Sequence, residues 1–252
     1  MTNATTGADF RAGPIRRVVQ RVLTPEIRRR MWLQLTRGRR LTDLYLWLDP
    51  RFRPQRVTRS TDLVIDGMAR SANSYSYVAL LHAHGDDLSI AHHLHTPRAI
   101  ERGVAFGLPT IVLVREPRAV LASVMQYDEG GSPSGFLDAY LSYYRRVEPL
   151  LDRVVLADFT EVIDDFGAVI ERCNAKFGSS FVRYVKTDED EAAIAAKIDE
   201  IMTASTPTDQ IEAKTPRPSA SRRPVDEMLA GLDPADQAAL TEAEQLYARL
   251  RP

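Results

Sequence analysis

The chain has little of what would tie it to a disulfide scaffold, a metal cage or a bilayer. One cysteine, Cys173, stands among 252 residues, so neither an internal disulfide nor a cysteine-built zinc site can form. Its expected place is as a small buried hydrophobe. No apolar run approaches the roughly 18 residues that mark a membrane span. Met1 to Gly13 has no apolar core of the kind a secretory signal needs. A reducing cytoplasm is therefore the expected compartment. There are no internal repeats. A formal net charge of −1 gives no general affinity for polyanions, so nucleic acid is not an expected partner. What remains is an ordinary globular composition, 44% hydrophobic and 27% charged, enough for one large domain with a decorated terminus.

Lysine is also missing from the first 60 residues. Fourteen arginines stand there against Asp9, Glu26, Asp43 and Asp49, a net of +10, and the remainder carries −11. The expected division is a basic, helical extension over 1–60 and an α/β domain over 61–252. Ile15, Val18, Val19, Val22 and Leu23 recur at helical spacing between arginines, and a second stretch runs from Ile27 to Leu35. Such helices either pack on the acidic remainder or lie peripherally on the anionic inner face of a membrane. Leu44 to Leu48 reads as a short apolar helix running into an irregular, arginine-rich loop. Its aromatic residues are either core or the wall of an acceptor pocket.

The stretch from Asp62 to Leu81 organises the rest. Leu63-Val64-Ile65 reads as a buried strand, a loop of small residues follows, and Tyr75 to Leu81 is helix-periodic. Strand, small loop and helix N-terminus make an anion cradle, because the first helical N–H groups lack partners and the aligned peptide dipoles favour negative charge. Arg70 adds a fixed cation, and Ser71 and Ser74 add hydroxyl donors. Set against a Walker A loop counted from Gly67, Ala72 falls on the second glycine and Asn73 on the lysine. An ordinary strand-to-helix turn would use the same small residues.

All five histidines fall between His82 and His95. There is no H-E-x-x-H, no cysteine partner and no single-face helical spacing, so no metal site is expected. Leu88 to Ala91 reads as a second strand, which puts His92, His93 and His95 at its carboxyl end, where open α/β sheets hold ligands. His82 and His84, at a helix end, read as structural or surface residues. Pro97 to Phe106 reads as a helix closed by Gly107. Pro109 to Val114 is a near-continuous apolar strand of the doubly covered, parallel kind, followed by Arg115-Glu116-Pro117-Arg118 and a helix from Ala119. Ser123 stands on that helix. A flexible loop is expected over 128–135, a helix from Phe136 to Leu151, a strand at 154–158, and a long helix to Phe177 and Gly178. An acidic helix over 188–203, a long loop over 204–224 and a final helix from Pro234 complete the chain.

Arg70-Ser71-Ala72-Asn73-Ser74 resembles the 5′-phosphosulfate loop of sulfotransferases, a basic residue followed by Ser-Gly-Thr/Ser-Thr/Ser. The block Val114-Arg115-Glu116-Pro117 through Ser123 closely resembles the 3′-phosphate motif of that family. His93-Leu94-His95 resembles its Lys-x-His segment, with His93 at the lysine position and His95 at that of the base. The three motifs stand in family order, and the resemblance covers about residues 62–180. It implies a three-layer α/β fold with a central, mainly parallel sheet, P-loop-like in its topology. It further implies a metal-independent sulfotransferase using 3′-phosphoadenosine 5′-phosphosulfate as co-substrate. Arg70, Ser71, Ala72, Asn73 and Ser74 would hold the 5′ side, Arg115 and Ser123 the 3′-phosphate, and Arg222 and Arg223, with Arg217, would close over the nucleotide. His95 would be the general base, helped by His93 and Arg70. A histidine, with an ordinary pKa near ~6.5, suits proton abstraction at neutral pH. The acceptor would be a hydroxyl or amine on a small molecule, glycan or lipid. Two other readings share this scaffold: a nucleotide-dependent kinase or NTPase, opposed by the missing Walker lysine, and an inactive nucleotide-binding relative.

Overall fold

Four short apolar runs pair into one sheet. In the computed structural model, which describes residues 38–85, 87–127, 132–205 and 224–251, these are β1 (Leu63–Gly67), β2 (Ile90–His92), β3 (Thr110–Val114) and β4 (Val155–Asp158). They lie in the order β2-β1-β3-β4, and every neighbouring pair is parallel. The expectations for residues 1–37, for 128–131 of the 128–135 loop, and for 206–223 of the 204–224 loop with Arg217, Arg222 and Arg223 lie outside the described residues.

The strands are apolar throughout because successive side chains point to opposite faces and both faces are covered. Leu63, Ile65, Ile111 and Leu113 enter one core, with α2 (Asn73–His84), α6 (Phe159–Phe177) and α7 (Asp188–Ser205). Val64, Val112 and Val114 enter the other, with α3 (Pro97–Phe106), α4 (Pro117–Tyr127), α5 (Pro133–Val147) and α9 (Pro234–Leu250). This is the expected three-layer α/β architecture. Cys173 is fully buried in the first core.

Helix ends follow local chemistry. Thr96 accepts from the Arg98 N–H to start α3, with Pro97 in its first turn, and Gly107 closes it at φ 69°. Asp233 accepts from Asp236 N–H ahead of α9, and Asp158 from Thr160 N–H ahead of α6. Three starts lie earlier than apolar periodicity alone suggests. Helix α5 opens at Pro133, capped by Ser132. Helix α4 opens at Pro117, where the Glu116 carboxylate accepts from Arg118 and Ala119 N–H. Helix α2 opens at Asn73. Helix α6 is kinked at Asp165 (φ −147°, ψ 79°), whose side chain accepts from Ala168 N–H and re-caps the helix. A short helix, α8 (Val225–Leu229), precedes α9.

Residues 38–60 form α1 (Arg39–Leu48) and a 3-10 turn (Pro50–Gln55). Leu46 and Val57 reach the core, and Asp43 takes Arg98 in a two-point ion pair at 2.6 and 2.9 Å. Among the described residues, no helix is long and apolar enough to cross a membrane.

Helix α5 braces the carboxyl edge of the sheet from beneath. Its Tyr140 and Tyr144 are fully buried, and their hydroxyls donate to the Arg115 and Leu113 carbonyls at 2.9 and 2.8 Å. Gly67 closes the same edge. A Cβ there would lie 2.3 Å from the Leu113 carbonyl oxygen and 2.8 Å from Leu113 Cβ. Gly67→Ala is therefore expected to cost ~1–3 kcal/mol by overpacking a β1–β3 contact that cannot yield. Gly107→Ala meets open space and should cost only about 1 kcal/mol, through its positive φ. Urea unfolding at equal m checks the contrast, and equal small losses would remove Gly67 from the close-packed edge.

Candidate functional site

Two loops meet at the carboxyl edge, one after β1 and one after β2. They hold every non-glycine residue with positive φ among the described residues: Arg70 (70°), Ala72 (66°), His93 (54°) and His95 (48°). Each such conformation costs on the order of 1–3 kcal/mol and persists only where surrounding contacts enforce it. Ala72 is the helix N-cap residue, and no side chain caps the first N–H groups of α2. That combination suits an oxyanion lying against the backbone.

The loop is held from inside. Asn73, 5% exposed, donates its side-chain N–H to the Met68 carbonyl at 2.9 Å. Ser71 is fully buried, its hydroxyl beside that of Tyr144 and without a well-formed hydrogen bond. Both residues, expected as ligand contacts, thus sit in the floor of the loop, and Ala72 and Ser74 are only half-buried. Nothing in the spacing of Arg70 to Ser74 shows which members face inward.

Arg70 reaches across to α4 and donates from Nε to Ser123 Oγ at 2.9 Å. Arg115 donates from Nη1 to the Arg70 carbonyl at 2.9 Å, and its guanidinium stacks on Phe159 at 3.7 Å. The cations expected at opposite ends of a nucleotide are therefore joined by direct contacts. Stacking holds the plane of the Arg115 guanidinium.

The histidines divide by role. His82 Nε2 lies 2.6 Å from Asp190, and His84 Nε2 accepts from Val182 N–H at 2.5 Å, so both tie α2 to the segment leading into α7. His92 stacks on Tyr77, with centroids 3.6 Å apart and planes 17° apart. Its Nδ1 lies 2.6 Å from His93 Nδ1, and His93 Nε2 lies 3.0 Å from Ser74 Oγ. One of the two Nδ1 atoms carries the shared proton, so His92, His93 and Ser74 form a hydrogen-bonded chain ending in the loop. Burial, then the neighbouring histidines, drives His92 down to about 3 and His93 well below the usual imidazole range. Both rings are therefore neutral at neutral pH.

His95 is held differently. Its Nδ1 lies 2.8 Å from the Gly67 carbonyl oxygen, which can only accept, so Nδ1 carries the proton and Nε2 keeps a free lone pair in the neutral ring. Beneath it is a residue that periodicity passes over. Asp66, fully buried, accepts from His95 N–H at 3.1 Å and Thr96 N–H at 3.3 Å, and its carboxylate lies 3.9 Å from His95 Nδ1. Burial raises Asp66 to about 6 against the pull of His95 and these N–H groups. A carboxylate inside Leu-Val-Ile-Asp-Gly was the available signal, since a buried charge needs partners.

Beside these loops is a cavity of about 280 Å³ lined by Leu46, Trp47, Val57, Leu94 and Ala99, with Arg56 and Arg102 among its polar neighbours. Leu94 stands between His93 and His95. Among the described residues, no group of three His, Cys, Asp or Glu side chains is arranged to hold a metal ion.

No family model matches this chain, and no curated protein matches it. Among solved structures it is similar to mouse sulfotransferase SULT7A1 complexed with PAP, with a TM-score of 0.42 and 12% identity over 75% of this chain and 84% of that one.

The histidine pair gives the site a pH signature. In the unfolded chain each ring protonates below ~6.5, and in the folded protein neither does until far lower, so stability falls as pH drops through 6.5. Asp66 has the opposite sign. Its folded value lies above its unfolded one, so its contribution grows as pH falls from 6 toward 4. Two groups oppose one, and a net loss of about 1 kcal/mol per pH unit is expected below pH 6, discounted for the partly exposed rings. His92→Gln/His93→Gln should flatten or reverse that limb in chemical unfolding. An acid limb unchanged by the double substitution would show that other groups set it.

Proposed function

We propose that the chain is a sulfotransferase that moves a sulfuryl group from 3′-phosphoadenosine 5′-phosphosulfate to a hydroxyl or amine. What supports the reading is one juxtaposition. A histidine with its Nδ1 pinned and its Nε2 free stands at the same carboxyl edge of the sheet as an uncapped helix N-terminus and two linked arginines. The residues fit the donor. The α2 N-terminus and Ser74 suit the 5′ side, Arg115 with Ser123 suits the 3′-phosphate, and Arg70 exchanges its Ser123 contact for an anionic oxygen. His95 Nε2 takes the proton as the acceptor O–H bond breaks and a new O–S bond forms. The sulfur–oxygen bond to the 5′-phosphate breaks, and its electron pair stays on the leaving phosphate, where Arg70 and the backbone N–H groups offset the charge. A loose, in-line transfer of this type leans mostly on positioning. The cavity bounded by Leu94 and Trp47 would seat an apolar part of the acceptor.

Calorimetry with adenosine 3′,5′-bisphosphate and adenosine 5′-phosphate tests the donor site. Arg115→Ala should weaken the bisphosphate about 10- to 100-fold, the worth of a charge-assisted contact, and barely affect the monophosphate. Equal losses would refute the 3′-phosphate assignment.

His95→Ala should lower sulfuryl transfer by roughly 10²–10⁴-fold with donor affinity nearly unchanged, measured with sulfur-labelled donor across acceptor classes. A folded variant that binds donor and turns over normally would move the base elsewhere, to His93 first. Magnesium-dependent ATP turnover by the native chain would replace this reading with the kinase one. Donor binding without transfer to any acceptor would leave an inactive nucleotide-binding relative.

A further inference from the structure

Helix α1 breaks the amphipathic rule. Its inner face is already satisfied, with Thr42 and Leu46 buried against the core. Its outer face is apolar as well. Leu41, Leu44 and Leu48, spaced i, i+3, i+7, are 54%, 51% and 61% exposed, and Trp47 beside them is 68% exposed. Four of the seven large hydrophobic residues well exposed among the described residues thus stand on one ten-residue helix. An exposed apolar stripe of this size on a surface helix ordinarily marks a contact surface.

The rim around this face is cationic. Arg40 is exposed one turn from Leu44, and Arg53 is exposed in the following turn. Arg56 lies at the helix end, donating to the Trp47 and Asp49 carbonyls at 2.6 and 3.2 Å. The acid on the helix, Asp43, is neutralised by Arg98 and Arg102 and held below the usual carboxylate range through those pairs, against the effect of its burial. The 37 residues that lead into α1 carry eight arginines against two acids. Like charge disfavours that segment, or a second copy of the same face, as the cover. A surface that is both apolar and anionic complements it.

We propose that α1 docks on an anionic phospholipid surface, with Leu41, Leu44 and Leu48 inserted at the headgroup boundary, Trp47 at the interface, and Arg40 and Arg53 against lipid phosphates. The inference does not depend on the transfer chemistry, although Trp47 also borders the apolar cavity.

Vesicle co-sedimentation and tryptophan fluorescence on the full chain carrying Trp32→Phe, which leaves Trp47 as the reporter, test it. Binding to phosphatidylglycerol-containing vesicles but not to pure phosphatidylcholine is expected, with a blue shift of Trp47 emission and weakening in high salt. Adding Leu44→Glu and Leu48→Glu, both on the exposed face and so compatible with folding, should cut binding more than tenfold and abolish the shift. No binding to either vesicle would overturn the proposal. So would binding that survives the glutamates without a Trp47 shift, which would assign the contact to the preceding arginines alone. A Trp47 shift without lipid, rising with protein concentration and lost in the glutamate variant, would make the cover a second copy and overturn it equally.

Discussion

The site depends on a buried carboxylate at the end of a parallel strand. Asp66 accepts the His95 and Thr96 N–H groups and so anchors the β2–α3 loop to the end of β1. One residue later, Gly67 lets β1 and β3 approach so closely that no Cβ fits, and its carbonyl takes the His95 Nδ1 proton. A desolvated aspartate is costly unless its lone pairs are filled, so any departure of the loop from this pose exposes that cost. The same contacts that stop the loop from moving fix the imidazole tautomer. Stability and the aim of His95 are here one constraint.

Much of this was legible in the residues. The four strands and the bounds of α3 follow from apolar runs and from Pro97 and Gly107, because strand alternation and helix caps are local effects. Helix starts were read late wherever a cap preceded the periodic stretch, as at Ser132-Pro133 and Glu116-Pro117. The inside and outside of the Arg70–Ser74 loop were not legible, since Ser71 and Asn73 turn inward only because Tyr144 and Met68 wait there. Asp66 was passed over because apolar periodicity treats a charge in a strand as noise, although elementary electrostatics marks it as paired.

The loop also shows what an alanine does where a glycine would rest easily. Ala72 sits at φ 66°, and Arg70, His93 and His95 share that region. At order 1–3 kcal/mol apiece, four such residues would consume a large part of a typical domain's 5–15 kcal/mol of net stability. The enforcing contacts are identifiable: Asn73 on Met68, Arg115 on the Arg70 carbonyl, Ser74 on His93, and Gly67 and Asp66 on His95. Each ties one strained residue or its neighbour to a different element. The enforcing contacts are thus spread over the ends of β1, β2 and β3 and the start of α2.

The electrostatics follow from that layout. With His92 and His93 neutral, Arg70 and Arg115 supply permanent positive charge at this edge among the described residues, and both arginines are engaged with protein atoms. An incoming polyanion therefore has to offer more than charge. It would have to replace the Arg70–Ser123 hydrogen bond, already charge-assisted through the guanidinium, with contacts to a charged oxygen. A lysine in place of His93 would bind anions indiscriminately across the neutral range. The buried pair instead leaves that strand end without a fixed charge.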